Sequence, residues 1–144
     1  MSIRIKVANT AKELDDVFKL RHQVFIQERG KYSSDKSGSD RIVDHFDTLP
    51  DVANIVAYED SKAIATMRIN SDSQIGLPAE EYFDLSDVRA RIKRKYDDSK
   101  GQKPNVVSAS MLAIHKDWRN KKNVIFALFK TAAGVMYDWE TTHV

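Results

Sequence analysis

The chain has 144 residues, 42% of them hydrophobic, which suits one domain with a real core and leaves little room for a second. Its 23 basic and 21 acidic residues nearly cancel to a formal charge of +2, too balanced for bulk charge alone to mark a nucleic-acid or membrane surface. The absence of cysteine excludes disulfides, thiolate metal sites and a cysteine nucleophile, and no apolar run reaches transmembrane length.

In chain order, Ile3, Ile5 and Val7 alternate with polar residues and predict a first strand, where a secretion signal would need a continuous apolar core. A cytoplasmic location is the expectation that follows. Thr10 and Glu13 have capping-box spacing and open a helix whose apolar stripe is Leu14, Val17, Phe18, Val24 and Phe25, with Gly30 as its terminator. Residues 31–41, rich in Ser, Asp and Gly, read as a loop. Residues 53–58 and 63–69 are strand-like on either side of Glu59-Asp60-Ser61-Lys62 and predict an antiparallel hairpin. A short helix over 86–96, a loop over 97–104 and a strand over 106–114 come next. In the last helix, Val124, Ile125, Leu128, Phe129, Ala132, Val135, Met136 and Trp139 are spaced as one broad apolar face. No repeat or linker divides the chain, so 1–144 is read as a single domain.

Two groups of charges stand out against this pattern. Arg21 shares a helix face with Leu14, Val17, Phe18 and Phe25, and Arg68 lies inside a β-rich run, so each needs a carboxylate partner. Asp44 and Asp47, in the loop before the hairpin, can supply two, which predicts a partly buried cluster of Arg21, Asp44, Asp47 and Arg68. Such a cluster either fixes the loop against the first helix or contacts substrate. The second group is Arg119, Lys121 and Lys122 at the start of the last helix, where unpaired amides and the macrodipole disfavour cations. An anion bound between the bend and the first helical turn, with phosphate as the obvious candidate, would account for them. Asn120 or Asn123 is placed to cap that helix.

The order strand, helix, loop, two strands, helix, strand, basic bend, helix resembles the GNAT N-acyltransferase superfamily. Within it, Leu20-Arg21-His22-Gln23-Val24-Phe25, Asp44-His45-Phe46-Asp47 and Ala65-Thr66-Met67-Arg68-Ile69 resemble segments of acyl-homoserine lactone synthases and long-chain N-acyl amino acid synthases. The resemblance implies an α/β fold with a mixed, mostly antiparallel sheet flanked by helices, and an acyl group carried to an amine from acyl-CoA or an acyl carrier protein. No metal is implied. Arg21, Asp44, Asp47 and Arg68, with Phe25 beside them, would lie on the substrate side, although Ile42 stands where an acidic residue often precedes the first Asp.

By the same resemblance, Leu112, Ala113 and Ile114 would offer backbone hydrogen bonds to the pantetheine arm and thioester. The bend Arg119, Asn120, Lys121, Lys122, Asn123 and Val124 would hold the cofactor phosphates. That family's bend reads Q/R-x-x-G-x-G/A, and here Lys122 and Val124 occupy both glycine positions, so side-chain cations would partly replace an amide cradle. The synthases' E-x-x-R pattern is also changed, to Ser108 and Met111. His45 and His115 are replacement bases because imidazole titrates near neutrality. His45 ranks first for its place in the acidic motif, and Ser108 and Ser110 join it as catalytic candidates.

A GNAT fold continues with a strand that would only be starting at Thr142-His143-Val144, so a C-terminally truncated domain is expected, with its exposed sheet edge favouring a homo-oligomer. Two other readings compete. One is a catalytically degenerate GNAT-like binding domain, which explains Ser108, Met111 and the missing glycines. The other is a basic binding module on Arg89, Arg91, Lys93, Arg94 and Lys95, for which nucleic acid is disfavoured by the absence of a recognised motif and by Asp97 and Asp98 directly after the run.

Overall fold

Among the described residues, alternating and continuous apolar runs yield four strands: β1 (Ile3–Val7), β2 (Val52–Glu59), β3 (Lys62–Ser71) and β4 (Val107–Ile114). They pair antiparallel in chain order, β1-β2-β3-β4. The computed structural model describes residues 2–30, 38–97 and 101–144. Parts of the two expected loops, residues 31–37 and 98–100, therefore lie outside the described residues. The β2–β3 hairpin turns on Asp60 and Ser61 alone, and Asp60 takes a φ of 52°, which its short polar side chain tolerates better than most.

The described residues also form three α-helices: α1 (Ala11–His22), α2 (Ser86–Asp97) and α3 (Lys122–Asp138). The capping box forms as read, with the Glu13 amide donating to Thr10 Oγ1 at 3.2 Å and the Thr10 amide donating to Glu13 Oε2 at 3.2 Å. The first helix is not one regular cylinder to Gly30. It widens into a π-helical turn, Gln23–Glu28, which carries Val24 and Phe25 together into the interior before Gly30 ends it at a φ of 58°.

The sheet is covered on both faces at its centre. On one side α3 sets Val124, Leu128 and Ala132 against Ile55, Ala57, Ile64, Ala65, Met67, Ile69 and Val107. On the other, Val17 packs with Val56 and Tyr58, while Leu20, Val24 and Phe25 pack with Ala113. This double coverage explains why β2 and β3 read as continuous apolar runs broken by Asn54, Arg68 and Asn70, all buried. The broad face expected for the last helix is narrower than its spacing implied. Phe129 stays 45% exposed, because α3 meets one sheet surface: Val124, Leu128 and Ala132 are buried on it, Val135, Met136 and Trp139 pack against it partly buried, and Phe129 falls to the side.

Next to the start of β4, on the side away from β3, Val106 forms a parallel bridge with His143, and the Val107 amide donates to the His143 carbonyl at 3.0 Å. No helix among the described residues is long and apolar enough to cross a membrane. Replacing Leu128 by Ala is expected to cost about 2–5 kcal/mol in urea unfolding, because it opens a cavity between α3 and the sheet. Phe129→Ala is expected to cost about 0.5 kcal/mol or less in the same measurement.

Candidate active site

The predicted charge cluster forms, and it is more deeply buried than the sequence suggested. Asp47 sits between two guanidinium groups. Arg21 donates from Nη1 to Asp47 Oδ2 at 2.8 Å and from Nη2 to Asp47 Oδ1 at 3.1 Å, and Arg68 Nη1 lies 3.1 Å from Asp47 Oδ2. Asp44 Oδ1 accepts from Arg68 Nη1 at 2.6 Å. Asn54 adds a partner by accepting from Arg21 Nη2 at 2.6 Å. Arg21 and Arg68 are 0% and 1% exposed, while Asp44 keeps a partly open edge.

Local backbone explains how two acids reach two cations. Asp44 caps the short 3-10 turn His45–Thr48, its carboxylate accepting from the Phe46 and Asp47 amides, and Asp47 reaches back to accept from the Asp44 amide at 3.0 Å. Burial pushes the Asp47 carboxyl up, but the hydrogen bonds and charge of Arg21, aided by the Asp44 amide and Arg68, outweigh it and hold the group below the usual carboxylate range. Burial likewise lowers Arg21 from its usual value, against the pull of Asp47.

β4 carries the second part of the site. Its pairing with β3 slips between Thr66↔Ala113 and Arg68↔Ser110, so Met111 and Leu112 form a bulge, with Met111 at a φ of 55°. Leu112 is exposed, Ala113 is buried against the π turn, and Ile114 packs towards α3. The Ser110 hydroxyl is buried with no hydrogen-bond partner among the described residues, on the strand position paired with Arg68. Ser108 pairs with Asn70, whose amide donates to the Phe46 carbonyl at 3.0 Å.

At the basic bend the three cations have different surroundings. Arg119 is ion-paired to Glu28 of the π turn and donates from Nε to the Ile114 carbonyl at 2.9 Å, so it ties the bend to the first helix. Lys121 lies over the Trp118 ring, 3.7 Å from its centroid, and Lys122 is exposed. Neither Asn120 nor Asn123 caps α3. The N-cap is Lys121 and makes no side-chain cap bond, so the helix begins without a side-chain acceptor for its first amides. His115 is buried and accepts from the Asp117 amide at Nδ1, a local structural bond. His45 is largely exposed and pairs with Glu81 at 3.3 Å.

A groove of about 1360 Å³ runs between α2 and the first half of β4, lined by Leu77, Leu85, Val88, Ile92, Val107 and Ala109, with Ser108 on its wall. The basic run does not behave as a unit there. Arg89 is engaged by Asp72 and Glu80, whereas Arg91, Lys93, Arg94 and Lys95 remain on exposed positions.

Asn54, Glu28, Asp72, Glu80 and Glu81 escaped the sequence reading. Only Asn54 left a usable signal there, as a polar residue in an apolar strand; its pairing with Arg68 depends on a register shift between Ala57 and Tyr58 that counting back from the hairpin turn would miss by one residue. Asp47→Asn is expected to destabilise by about 3–5 kcal/mol, because it leaves two buried arginines undercompensated. Asp44→Asn, at the open edge, is expected to cost about 1–2 kcal/mol. Since the folded value of Asp47 lies below the unfolded one, its contribution is complete above about pH 4 and is lost as pH falls through the folded value. Urea unfolding across acidic pH checks this, and Asp47→Asn should flatten the dependence.

No curated protein matches by sequence. Among solved structures the fold is similar to FeeM, an N-acyl amino acid synthase from uncultured soil microbes, with 13% identity, a TM-score of 0.67, and coverage of 97% of this chain and 67% of that one. It is also similar to the AHL synthase LasI, at 17% identity and a TM-score of 0.54 over 94% of this chain and 67% of LasI. The aminoglycoside acetyltransferase HMB0005, from an uncultured soil metagenomic sample, matches at 10% identity and a TM-score of 0.57, covering 99% and 77% of the two chains. A profile of the family described as N-acyl amino acid synthase FeeM matches residues 16–144. With that match over most of its length, and with the GNAT-type fold expected from its motifs, the chain belongs to the N-acyl amino acid synthase FeeM family.

Proposed function

We propose that this chain transfers an acyl group from a thioester, on coenzyme A or an acyl carrier protein, to the amino group of an amino acid or a related amine. The observation that carries the proposal is the bulged outer edge of β4, which ends on the uncapped start of α3. Among the described residues, the only strand-type partner on that edge is His143, at its beginning, and Arg119 holds the Ile114 carbonyl at its end, which leaves the bulge at Met111 and Leu112 between them to pair with the amides of a pantetheine arm. The first amides of α3, with Lys121 and Lys122, then receive the phosphates, and Arg119 holds the bend in place through Glu28.

The tail of the acyl group lies in the groove beneath α2. Pockets for drug-sized ligands span about 300–1,000 Å³. A groove of about 1360 Å³ exceeds what an acetyl group needs and favours a long tail. In the reaction the amine nitrogen attacks the thioester carbonyl, a C–N bond forms, the C–S bond breaks and the thiolate leaves. The ammonium first gives one proton to His45, whose imidazole is accessible and paired with Glu81, and the second proton, lost from nitrogen after the attack, goes to the departing thiolate. Ser110, with its unpartnered hydroxyl, supplies a donor to the developing oxyanion or to the thiolate, and Ser108 stands at the groove wall. Arg68 and Asp44 form the acceptor side, reached through the open edge of Asp44. Arg21, Asp47 and Phe25 back it from the interior.

Calorimetric titration with tetradecanoyl-CoA, followed by free-thiol release with an amino-acid panel, tests the proposal. Binding near the micromolar range and thiol release are expected. The double substitution Lys121→Glu, Lys122→Glu should weaken binding about tenfold or more at low salt and less at high salt. Folded protein that binds neither acyl-CoA nor an acyl carrier protein contradicts the donor assignment. Binding without thiol release by any amine contradicts transfer and leaves a ligand-binding domain.

A further inference from the structure

Helix α2 has an unusual attachment: none of its residues is buried, yet it forms one wall of the large groove. Beside an edge contact of Tyr96 with His143, one side chain makes its ionic attachment among the described residues. Arg89 donates from Nη1 and Nη2 to the two carboxylate oxygens of Asp72 at 2.7 and 2.8 Å, and from Nη2 to Glu80 Oε2 at 2.7 Å, while its Nε donates to Glu80 Oε1. All three nitrogens of the guanidinium are thus used, in a geometry that lysine cannot reproduce.

Both anchors are themselves fixed. Asp72 follows β3, and its amide donates to the Val106 carbonyl at 2.9 Å, which links it to the entry of β4. Glu80 lies in the 3-10 turn Pro78–Glu81 and accepts from the Leu77 amide at 2.7 Å. Gly76, at a φ of 85°, leaves the space Glu80 needs, since a Cβ there would stand 2.6 Å from Glu80 Oε2. The hydrogen bond from Arg89, then that from Leu77, hold the Glu80 carboxyl down at about 2, so the clamp stays ionised at ordinary pH.

We propose that Arg89 is a specificity-determining positioning residue: by fixing α2 against Asp72 and Glu80 it sets the width of the groove, and with it the length of acyl tail that fits. Leu85, Val88 and Ile92 of α2 line that groove together with Val107 and Ala109. Each methylene buried against such a wall raises affinity about fourfold, provided the wall is held in place. Without the clamp, the weakly packed helix shifts and the gain per methylene falls. The identity of the ligand rests on the thioester-donor reading, but the clamp itself responds to any apolar tail.

The test measures binding of butanoyl-CoA and tetradecanoyl-CoA, and of free butanoate and tetradecanoate, to wild type, R89Q, R89K and D72N. Wild type should prefer the long tail in both series. R89Q should lose about tenfold or more of that preference, with butanoyl-CoA affinity changed by no more than about twofold, and R89K and D72N should fall between. A role in stability alone would lower the melting temperature and leave the preference intact. Folded R89Q with the wild-type ratio therefore overturns the proposal, as does a wild type with no length preference. Should R89Q fail to fold, D72N, which keeps the Glu80 arm, decides by the same ratio. If the CoA esters do not bind while the fatty acids show the preference and R89Q loses it, the donor assignment fails and the clamp stands.

Discussion

Two guanidinium groups enclosed by protein have one carboxylate between them, and the arrangement of the domain follows from satisfying that demand. Arginine cannot shed its charge by deprotonating, so Arg21 on α1 and Arg68 on β3 each require an anion at contact distance. Asp47 serves both, Asp44 completes the set, and Asn54 accepts one further bond. To bring them together, the first helix, the 3-10 turn His45–Thr48 and the β2–β3 hairpin must meet on one face of the sheet. An ion cluster of this kind gives little net stability compared with apolar packing of the same volume, but it penalises any arrangement that parts its members. Its contribution on this account is to placement.

Placement reaches the proposed site by short steps. Arg68 faces Ser110 across the β3–β4 ladder, directly before the bulge at Met111. β4 then runs to Ile114, whose carbonyl is held by Arg119, and Arg119 is held in turn by Glu28 from the π turn that continues α1. The first helix thus fixes β4 from both ends of its outer half, through Arg21 and the cluster and through Glu28 and the bend. The charges that looked alike along the bend have different surroundings. Arg119 sets the geometry, while Lys121 and Lys122 face outward beside amides that lack a side-chain cap.

Much of this was legible in the residues. Capping-box spacing, strand alternation and the need of Arg21 and Arg68 for Asp44 and Asp47 are local or chemically compelled, and each appears in the fold. The features that were not legible depend on distance or on packing. Glu28 and Arg119 are far apart in sequence, and nothing in either neighbourhood calls for the other. Arg89 read as one of five cations because its partners, Asp72 and Glu80, are drawn to it by the turn between β3 and α2. The π turn was hidden because an apolar pair such as Val24 and Phe25 also suits an α-helical stripe. Phe129 fitted the periodic face of α3, yet a helix resting on one sheet buries only its central line.

The central claim is that the bulged outer edge of β4 and the start of α3 together receive a thioester donor. Backbone amide chemical shifts recorded during titration with tetradecanoyl-CoA test it most directly. The account predicts that the largest changes fall on residues 110–114 and 121–124, with smaller ones along α2. Shifts confined to other surfaces, or none at all in protein that binds the ligand, would contradict it.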